Sequence, residues 1–309
     1  MAVTVTQTTD SINRVSEVFL NAVLKAKTFD SATGIRQISG TRDKFSMFEM
    51  STDSDIVQAY VTAPTELGTA AVTDSEFTID KKSINLPVPY DLFKNTEWKD
   101  AVANIHNMGI PMEIQVAMVE NITDKALAEV ESEIWTSNAG QTNDPTGTID
   151  GFIHLMDDKL TAASLTAQIL TGGTSFIDPA TIQAQLTRLI DVMPVALLAD
   201  MSTTSLFVSP ATEWAYKRSL QLQVNAVQPS ENTNFGGVQL VVIPNLNPQW
   251  IALGKADNLG VGLPSSPSDI ISLDVIDQKE NLKNQANIFG NFGYGAGIVT
   301  TDWVISSVV

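Results

Sequence analysis

The sequence predicts an α+β protein built around one long helix. Between Pro111 and Trp135, apolar residues recur about every four positions, which is the spacing of a single buried helix face. About 25 residues in a helix make a rod on the order of 37 Å long, enough to span a domain. Short runs typical of strands lie on both sides of it. The length of 309 residues allows one elaborated domain or two lobes around this helix.

Composition favours a subunit of an oligomer. Charged residues make up 17% of the chain, against roughly 25% in an ordinary soluble protein. Interface centres are depleted in charge, so a weakly charged chain is typical of a many-sided subunit, although a neutral secreted protein has the same composition. The net charge of −17 argues against a nucleic-acid-binding surface, because phosphate would be repelled.

The N-terminal segment predicts a helix that needs a partner. Asp10 or Ser11 can cap it, and an apolar stripe follows at three-to-four spacing. The stripe consists of Ile12, Val15, Phe19, Ala22, Val23 and Ala26. The first 20 residues lack a basic region followed by an apolar run, so we expect no signal peptide and synthesis in a cytoplasm. No apolar run is long enough to predict a membrane span.

From Gly34 to Pro89 the pattern changes to short β runs separated by polar turns. The middle of this region, Thr62–Ser75, contains Pro64 and Gly68 with few large apolar side chains, so it cannot supply a core of its own. It predicts an extended β excursion. Because exposed strand edges invite pairing, we expect the excursion to contact another chain.

The second half predicts a compact α+β lobe. We expect a loop or hairpin over 161–175 and a helix capped by Asp178, with Pro179 in its first position. A strand at Ser205–Val208 leads into a helix starting at Ser209-Pro210, with Trp214 and Leu220 facing inward. Further strands are predicted at 238–243, 250–253, 270–276, 287–292 and 298–308.

The residues show no catalytic constellation. The chain has two histidines, His106 and His154, and no cysteine, which leaves little to hold a transition metal. The glycine-rich tract Gly290–Gly297 superficially resembles a dinucleotide-binding loop, but strand-like residues follow it instead of a helix. Its glycines more simply permit bends or close approach of another backbone. We therefore predict no catalytic, cofactor-binding or metal site.

The order of elements resembles the major capsid protein family of tailed bacteriophages, whose fold is shared with encapsulins and herpesvirus capsid floors. Glu76–Asp91 looks like the return strand of the family's extended loop, and Pro111–Trp135 like its spine helix. Further stretches that carry the resemblance are Asp150–His154, Leu206–Pro210, Gly237–Pro244 and Trp250–Gly254.

The resemblance implies five regions: an N-terminal arm (1–33), an extended β loop (34–82), a peripheral domain with the spine helix (83–150), an axial domain (151–268), and strands returning to the peripheral domain (269–309). It implies self-association into hexamers and pentamers that form an icosahedral shell around double-stranded DNA, without sequence-specific binding. The expected subunit contacts are Ile12, Val15 and Phe19 of the arm and Tyr60, Val61, Pro64 and Leu67 of the loop.

The resemblance also implies partners. The family's long N-terminal scaffolding extension has no counterpart here, so we expect a separate scaffolding protein, a portal and, in some particles, a cementing or decoration protein. The location is the virion, after assembly in the host cytoplasm. Lys81 and Lys82 lie near the loop, but we predict no crosslink. Two alternatives stay open: an encapsulin-type compartment with protein cargo, and an acidic carbohydrate-active enzyme or binding protein with a carboxylate-lined cleft.

Overall fold

The computed structural model describes residues 28, 33–39, 43–52, 70–89, 112–139, 149–222, 234–263, 271–277 and 285–308. Helices and sheets both occur in these ranges, which confirms the α+β class. The helices are α1 (Met112–Thr136), α2 (Phe152–Ala162), α3 (Ile182–Asp191), α4 (Val195–Leu198) and α5 (Pro210–Gln221). The strands are β1 (Arg36–Ser39), β2 (Lys44–Thr52), β3 (Ala70–Thr78), β4 (Asp80–Pro89), β5 (Ile169–Leu170), β6 (Thr204–Val208), β7 (Asn234–Phe235), β8 (Val238–Val242), β9 (Trp250–Lys255), β10 (Leu259–Leu263), β11 (Ile271–Asp277), β12 (Gln285–Ile298) and β13 (Trp303–Ser307).

The long helix α1 is confirmed, at 25 residues. Its predicted apolar face is buried at Val130 and Ile134, and Trp135 is fully buried at its C-terminal end. The Trp135 ring lies 5.2 Å from the ring of Phe152 in α2 and 5.0 Å from that of Phe207 in β6. One aromatic cluster therefore joins the long helix to the following lobe.

The first sheet has the order β1-β10-β12-β11, and β4 also pairs with β12. The N-terminal part of β12 lies between β4 and β11, while its C-terminal part pairs with β10. The strand predicted at 287–292 is therefore longer than expected and runs unbroken through the glycines to Ile298. The late part of the chain thus closes the sheet against strands from the first half.

The second sheet has the order β5-β13-β9-β6-β8-β7. The single strand predicted over 298–308 is wrong, because the chain turns between β12 and β13. Val299 donates its backbone N–H to Asn258 (3.1 Å), and the Asn258 side chain donates to Thr300 Oγ1 (2.7 Å). β13 then pairs with β9 and β5. The domain boundaries stay predictions, including the one at 269.

The loop expected over 161–175 contains a 3-10 turn at Thr166–Gln168 followed by β5, which pairs in parallel with β13. The helix expected after Asp178 begins later, at Ile182. The Asp178 carboxylate instead accepts the backbone N–H of Ala180 (3.0 Å), and its carbonyl accepts the N–H of Ile182 (3.1 Å). Asp178 thus stabilises a turn that leads into α3. Pro179 belongs to this turn and not to the first turn of the helix.

Helix α5 begins where the sequence predicted. The hydroxyl of Ser209 accepts the N–H of Thr212 (3.1 Å), and Pro210 follows it. Leu220 packs against the core of this lobe, as expected. The inward position predicted for Trp214 is wrong, because its side chain is 59% exposed. The buried face consists instead of Thr212, Ala215, Tyr216 and Ser219.

Candidate assembly surfaces

Strands β2 and β3 form a two-stranded antiparallel hairpin, with Lys44 opposite Thr78 and Thr52 opposite Ala70. This confirms the predicted β character at both ends of the excursion. The predicted contact residues Tyr60, Val61, Pro64 and Leu67 lie between the two strands, outside the described residues, as do Ile12, Val15 and Phe19 of the arm. Their role in subunit contacts stays a prediction.

The inner face of the hairpin is anchored on the first sheet. Phe45 and Met47 are buried there, and Phe77 is partly buried beside them. The rings of Phe45 and Phe77 lie 5.4 Å apart. Because these side chains are removed from water against the rest of the subunit, the base of the hairpin is held to the body by apolar burial.

Four glycines receive these side chains. Gly260 in β10 pairs with Gly297 in β12, and Gly262 pairs with Gly295. A Cβ at Gly262 would lie 2.5 Å from Cε1 of Phe45, and one at Gly297 would lie 2.6 Å from Cδ2 of Phe77. The flat surface formed by these four glycines, here called the glycine cradle, lets the hairpin approach the sheet backbone. Of the two alternatives that the sequence left open for the tract 290–297, bends or close approach, Gly295 and Gly297 show close approach of the hairpin.

Replacing Gly262 with Ala is expected to loosen the hairpin. The new methyl group would overlap the buried ring of Phe45, and overpacking of this kind costs about 1–3 kcal/mol of the free energy of unfolding. In a Phe45→Ala background, the same glycine change should cost much less, because the ring is gone. Denaturant unfolding of the two single variants and the double variant measures this coupling. If the losses of unfolding free energy in the two single variants simply add in the double variant, the Phe45 ring and Gly262 are not in contact.

The outer face of the hairpin carries exposed large apolar side chains. Met50 and Val72 lie directly opposite each other and are 64% and 66% exposed, and Phe48, two residues along, is 67% exposed. Side chains two apart on a strand share a face, so these three form one patch, here called the outer patch. The sequence analysis missed it because the run 44–50 has apolar residues on both faces of the strand.

The hairpin is acidic as well as apolar. From Ser46 to Glu76 the chain contains six acidic residues and no basic one: Glu49, Asp53, Asp55, Glu66, Asp74 and Glu76. At the base, Lys44 pairs with Glu76 at 3.0 Å, but both side chains are more than half exposed. Exposed pairs contribute little to stability, so this pair does not fix the hairpin.

A buried ion pair joins β4 to α1, and a tyrosine of β12 contacts it. Lys82 Nζ lies 3.0 Å from Glu133 Oε2, and both side chains are mostly buried. The hydroxyl of Tyr294 donates to the same carboxylate oxygen. Burial, followed by the neighbouring charge of Glu133, raises the pKa of Tyr294 well above its usual value, so the hydroxyl stays protonated. These contacts hold α1 against β4 and β12.

Lys159 in α2 holds the end of β12. Its ammonium group donates to the carbonyl of Ile298 (3.1 Å) and to that of Val299. Burial lowers the pKa of Lys159, and the negative charge of Glu49 in β2 acts in the opposite direction. Lys159 thus fixes the end of β12 to α2.

A second exposed patch lies on the other lobe. Trp214 and Leu222 are 59% and 62% exposed, and the guanidinium of Arg218 lies 5.6 Å from the centre of the Trp214 ring. Tryptophan and arginine are enriched among residues that contribute most to binding at interfaces. The four-residue spacing along α5 puts these side chains on one outward stripe.

His154 has polar neighbours but no metal-binding arrangement. Its Nε2 lies 3.7 Å from Asp150 Oδ1 and 3.5 Å from Asp158 Oδ2, with Asn138 next to its other ring nitrogen. Within the described ranges, no group of three or more His, Cys, Asp or Glu side chains is placed to hold a metal ion. His106 lies outside these ranges. None of the helices that the structure describes is long and apolar enough to cross a membrane.

No family model and no curated protein matches this chain. Solved structures do, each at low sequence identity. A chain of the satellite phage P4 procapsid with its size determination (Sid) protein matches with a TM-score of 0.57 and 10% identity, covering 94% of this chain and 99% of that one. The capsid of an empty GTA particle matches with a TM-score of 0.55 and 12% identity, covering 91% and 89%. A virus-like particle from Pyrococcus furiosus matches with a TM-score of 0.53 and 11% identity, covering 96% and 99%.

These matches extend over nearly the whole of each chain, so they compare complete folds rather than a shared motif. They confirm the fold that the order of elements predicted. The chain has the capsid fold of phage shell proteins.

Proposed function

We propose that this chain is the major capsid protein of a tailed phage, and that its copies assemble as hexamers and pentamers into an icosahedral shell around double-stranded DNA. The observation that carries the proposal is the outer patch of Phe48, Met50 and Val72, exposed on a hairpin whose other face is fixed to the subunit. In this capacity the chain acts by binding copies of itself, and we propose no catalytic activity for it.

In a shell, a neighbouring copy would cover the apolar side chains of the outer patch and remove them from water. Exposed apolar side chains at this density mark interaction sites in soluble proteins. The glycine cradle holds the hairpin base, so less conformational freedom is lost when the outer face meets a neighbour. In a closed symmetric assembly each contact repeats in every copy, so contacts of modest strength suffice.

The charge of the chain fits a container for DNA. With a net charge of −17, attraction to phosphate is weak, and the shell would not attach to the genome at many points. We further propose a separate scaffolding protein and a portal as partners, with the virion as the final location. A cementing protein would meet the outside of the same shell.

Electron microscopy of the purified protein, alone and coexpressed with adjacent viral genes, tests the proposal. We expect closed shells or hexameric capsomers in at least one preparation. A protein that stays monomeric in both, at concentrations of tens of micromolar, would contradict a shell function. It would instead favour the enzyme or binding-protein alternative.

A second candidate is a compartment of the encapsulin type, favoured by the similarity to the virus-like particle from Pyrococcus furiosus. Both functions predict shells, so the contents of the particles decide between them. Nuclease-protected double-stranded DNA in particles from infected cells supports a capsid. Shells that contain a folded protein and no nucleic acid support a compartment.

A further inference from the structure

Thr28 is fixed to the C-terminal end of α1. Its backbone N–H and its hydroxyl both donate to Glu131 Oε1, at 3.0 and 3.1 Å. The same hydroxyl accepts the indole N–H of Trp135 at 3.0 Å. A residue more than 100 positions earlier in the chain is thus held by three hydrogen bonds over one turn of the long helix.

All three residues are buried. Thr28 and Trp135 are fully buried, and Glu131 is 1% exposed. A buried carboxylate is costly unless hydrogen bonds satisfy it, and a buried indole N–H is costly without an acceptor. The Thr28 hydroxyl donates to the Glu131 carboxylate and accepts the Trp135 indole N–H at the same time. A side chain with the same shape but no hydroxyl would remove the acceptor for Trp135 and one of the donors to Glu131.

We propose that Thr28, Glu131 and Trp135 form a latch that fixes residue 28, close to the end of the predicted N-terminal arm, to the long helix. The Trp135 ring also packs between Phe152 and Phe207, so the latch rests on the aromatic cluster that joins α1 to the second lobe. Opening the latch would release Thr28 from α1 while the rest of the fold stays intact. In shell assembly, which rests on the function proposed above, the latch presents every arm from the same position.

Trypsin cleavage of the unassembled protein tests the latch, because Lys25 and Lys27 directly precede Thr28. Thr28→Val preserves the shape and removes the hydroxyl. We expect cleavage after these two lysines to become about tenfold faster, which corresponds to about 1.4 kcal/mol at 25 °C. Glu131→Gln, which keeps the shape and removes the charge, should also accelerate cleavage.

Two variants serve as controls. Thr28→Ser keeps the hydroxyl and should be cleaved at nearly the wild-type rate. Thr161→Val makes the same chemical change at an exposed threonine at the end of α2 and should have no effect on the arm. Thermal unfolding checks that each variant body is folded. Cleavage of folded Thr28→Val at the wild-type rate, or equal acceleration in Thr28→Ser, would overturn the latch.

The effect of the latch on shell assembly is measured separately. Folded Thr28→Val is expected to give fewer closed shells than wild type at equal concentration, whereas Thr28→Ser is expected to match wild type. If wild type itself forms no shells, the proposed function fails, while the proteolysis result still decides on the latch. If Thr28→Val is cleaved faster and assembles normally, the latch exists but its role in assembly is refuted.

Discussion

Replacing Phe48, Met50 and Val72 together with Thr is expected to abolish closed shells while leaving the subunit folded. The three side chains are each about two-thirds exposed in the isolated subunit, so their loss removes little intramolecular packing. Thr also keeps the β propensity of the strands. In a shell, the same change would remove about 3 kcal/mol or more of apolar burial from each contact, or roughly 100-fold in its dissociation constant.

Electron microscopy and light scattering of the triple variant measure the effect, with circular dichroism and thermal unfolding as checks on folding. Ile177→Thr is the control, because Ile177 is also an exposed apolar residue but is not part of the hairpin strands β2 and β3. Normal shells from the folded triple variant would remove the outer patch from the assembly contact. If Ile177→Thr loses shells to the same extent, assembly depends on exposed apolar residues in general and not on the outer patch in particular.

Replacing Lys82 with Met is expected to lower the free energy of unfolding by about 3 kcal/mol or more, because it leaves the carboxylate of Glu133 buried without its counter-charge. Glu133→Gln should also destabilise the fold, because it removes the carboxylate charge that lies 3.0 Å from the Lys82 ammonium group. Chemical denaturation at neutral pH gives the free energy of each variant.

The double variant Lys82→Met with Glu133→Leu tests whether the loss of stability in the single variants is caused by the remaining buried charge. Removing both charges is expected to restore much of the lost stability, since buried ion pairs are often replaced by apolar residues at little cost. Tyr294→Phe is added to this background, because the Tyr294 hydroxyl would otherwise lose its acceptor. If the combined variant is no more stable than the single ones, packing rather than charge explains the loss.

The pairing of β2 with β3 limits which residues of the excursion can be removed without damage to the hairpin. Deleting Thr62–Ser75 would remove most of β3, which pairs with β2 from Ala70 onward. Replacing residues 53–69 with a two-residue Asn-Gly turn keeps both strands and the inner-face anchor, because Thr52 and Ala70 are directly opposite each other. Failure to form shells would then report on the distal part of the excursion rather than on a damaged hairpin base.

Much of the fold followed from local sequence patterns. The four-residue apolar spacing fixed the long helix, and Ser209-Pro210 fixed the start of α5, because capping and helix periodicity depend on neighbours in the chain. The predictions that were wrong concern the direction of one side chain, Trp214, the start of α3 and the ends of the last strands. These depend on which face of an element meets the rest of the protein.

By itself, the sequence determined the α+β class, the order of elements and the absence of a recognisable catalytic motif, since these follow from periodicity, turn residues and residue type. Only the tertiary structure decided where the glycines, the outer patch and Thr28 lie and what they contact. The glycine cradle needs β10, β12 and the hairpin to meet, and the latch joins residues more than 100 positions apart. Contacts of this kind leave no spacing pattern in the chain, because they depend on how distant segments pack.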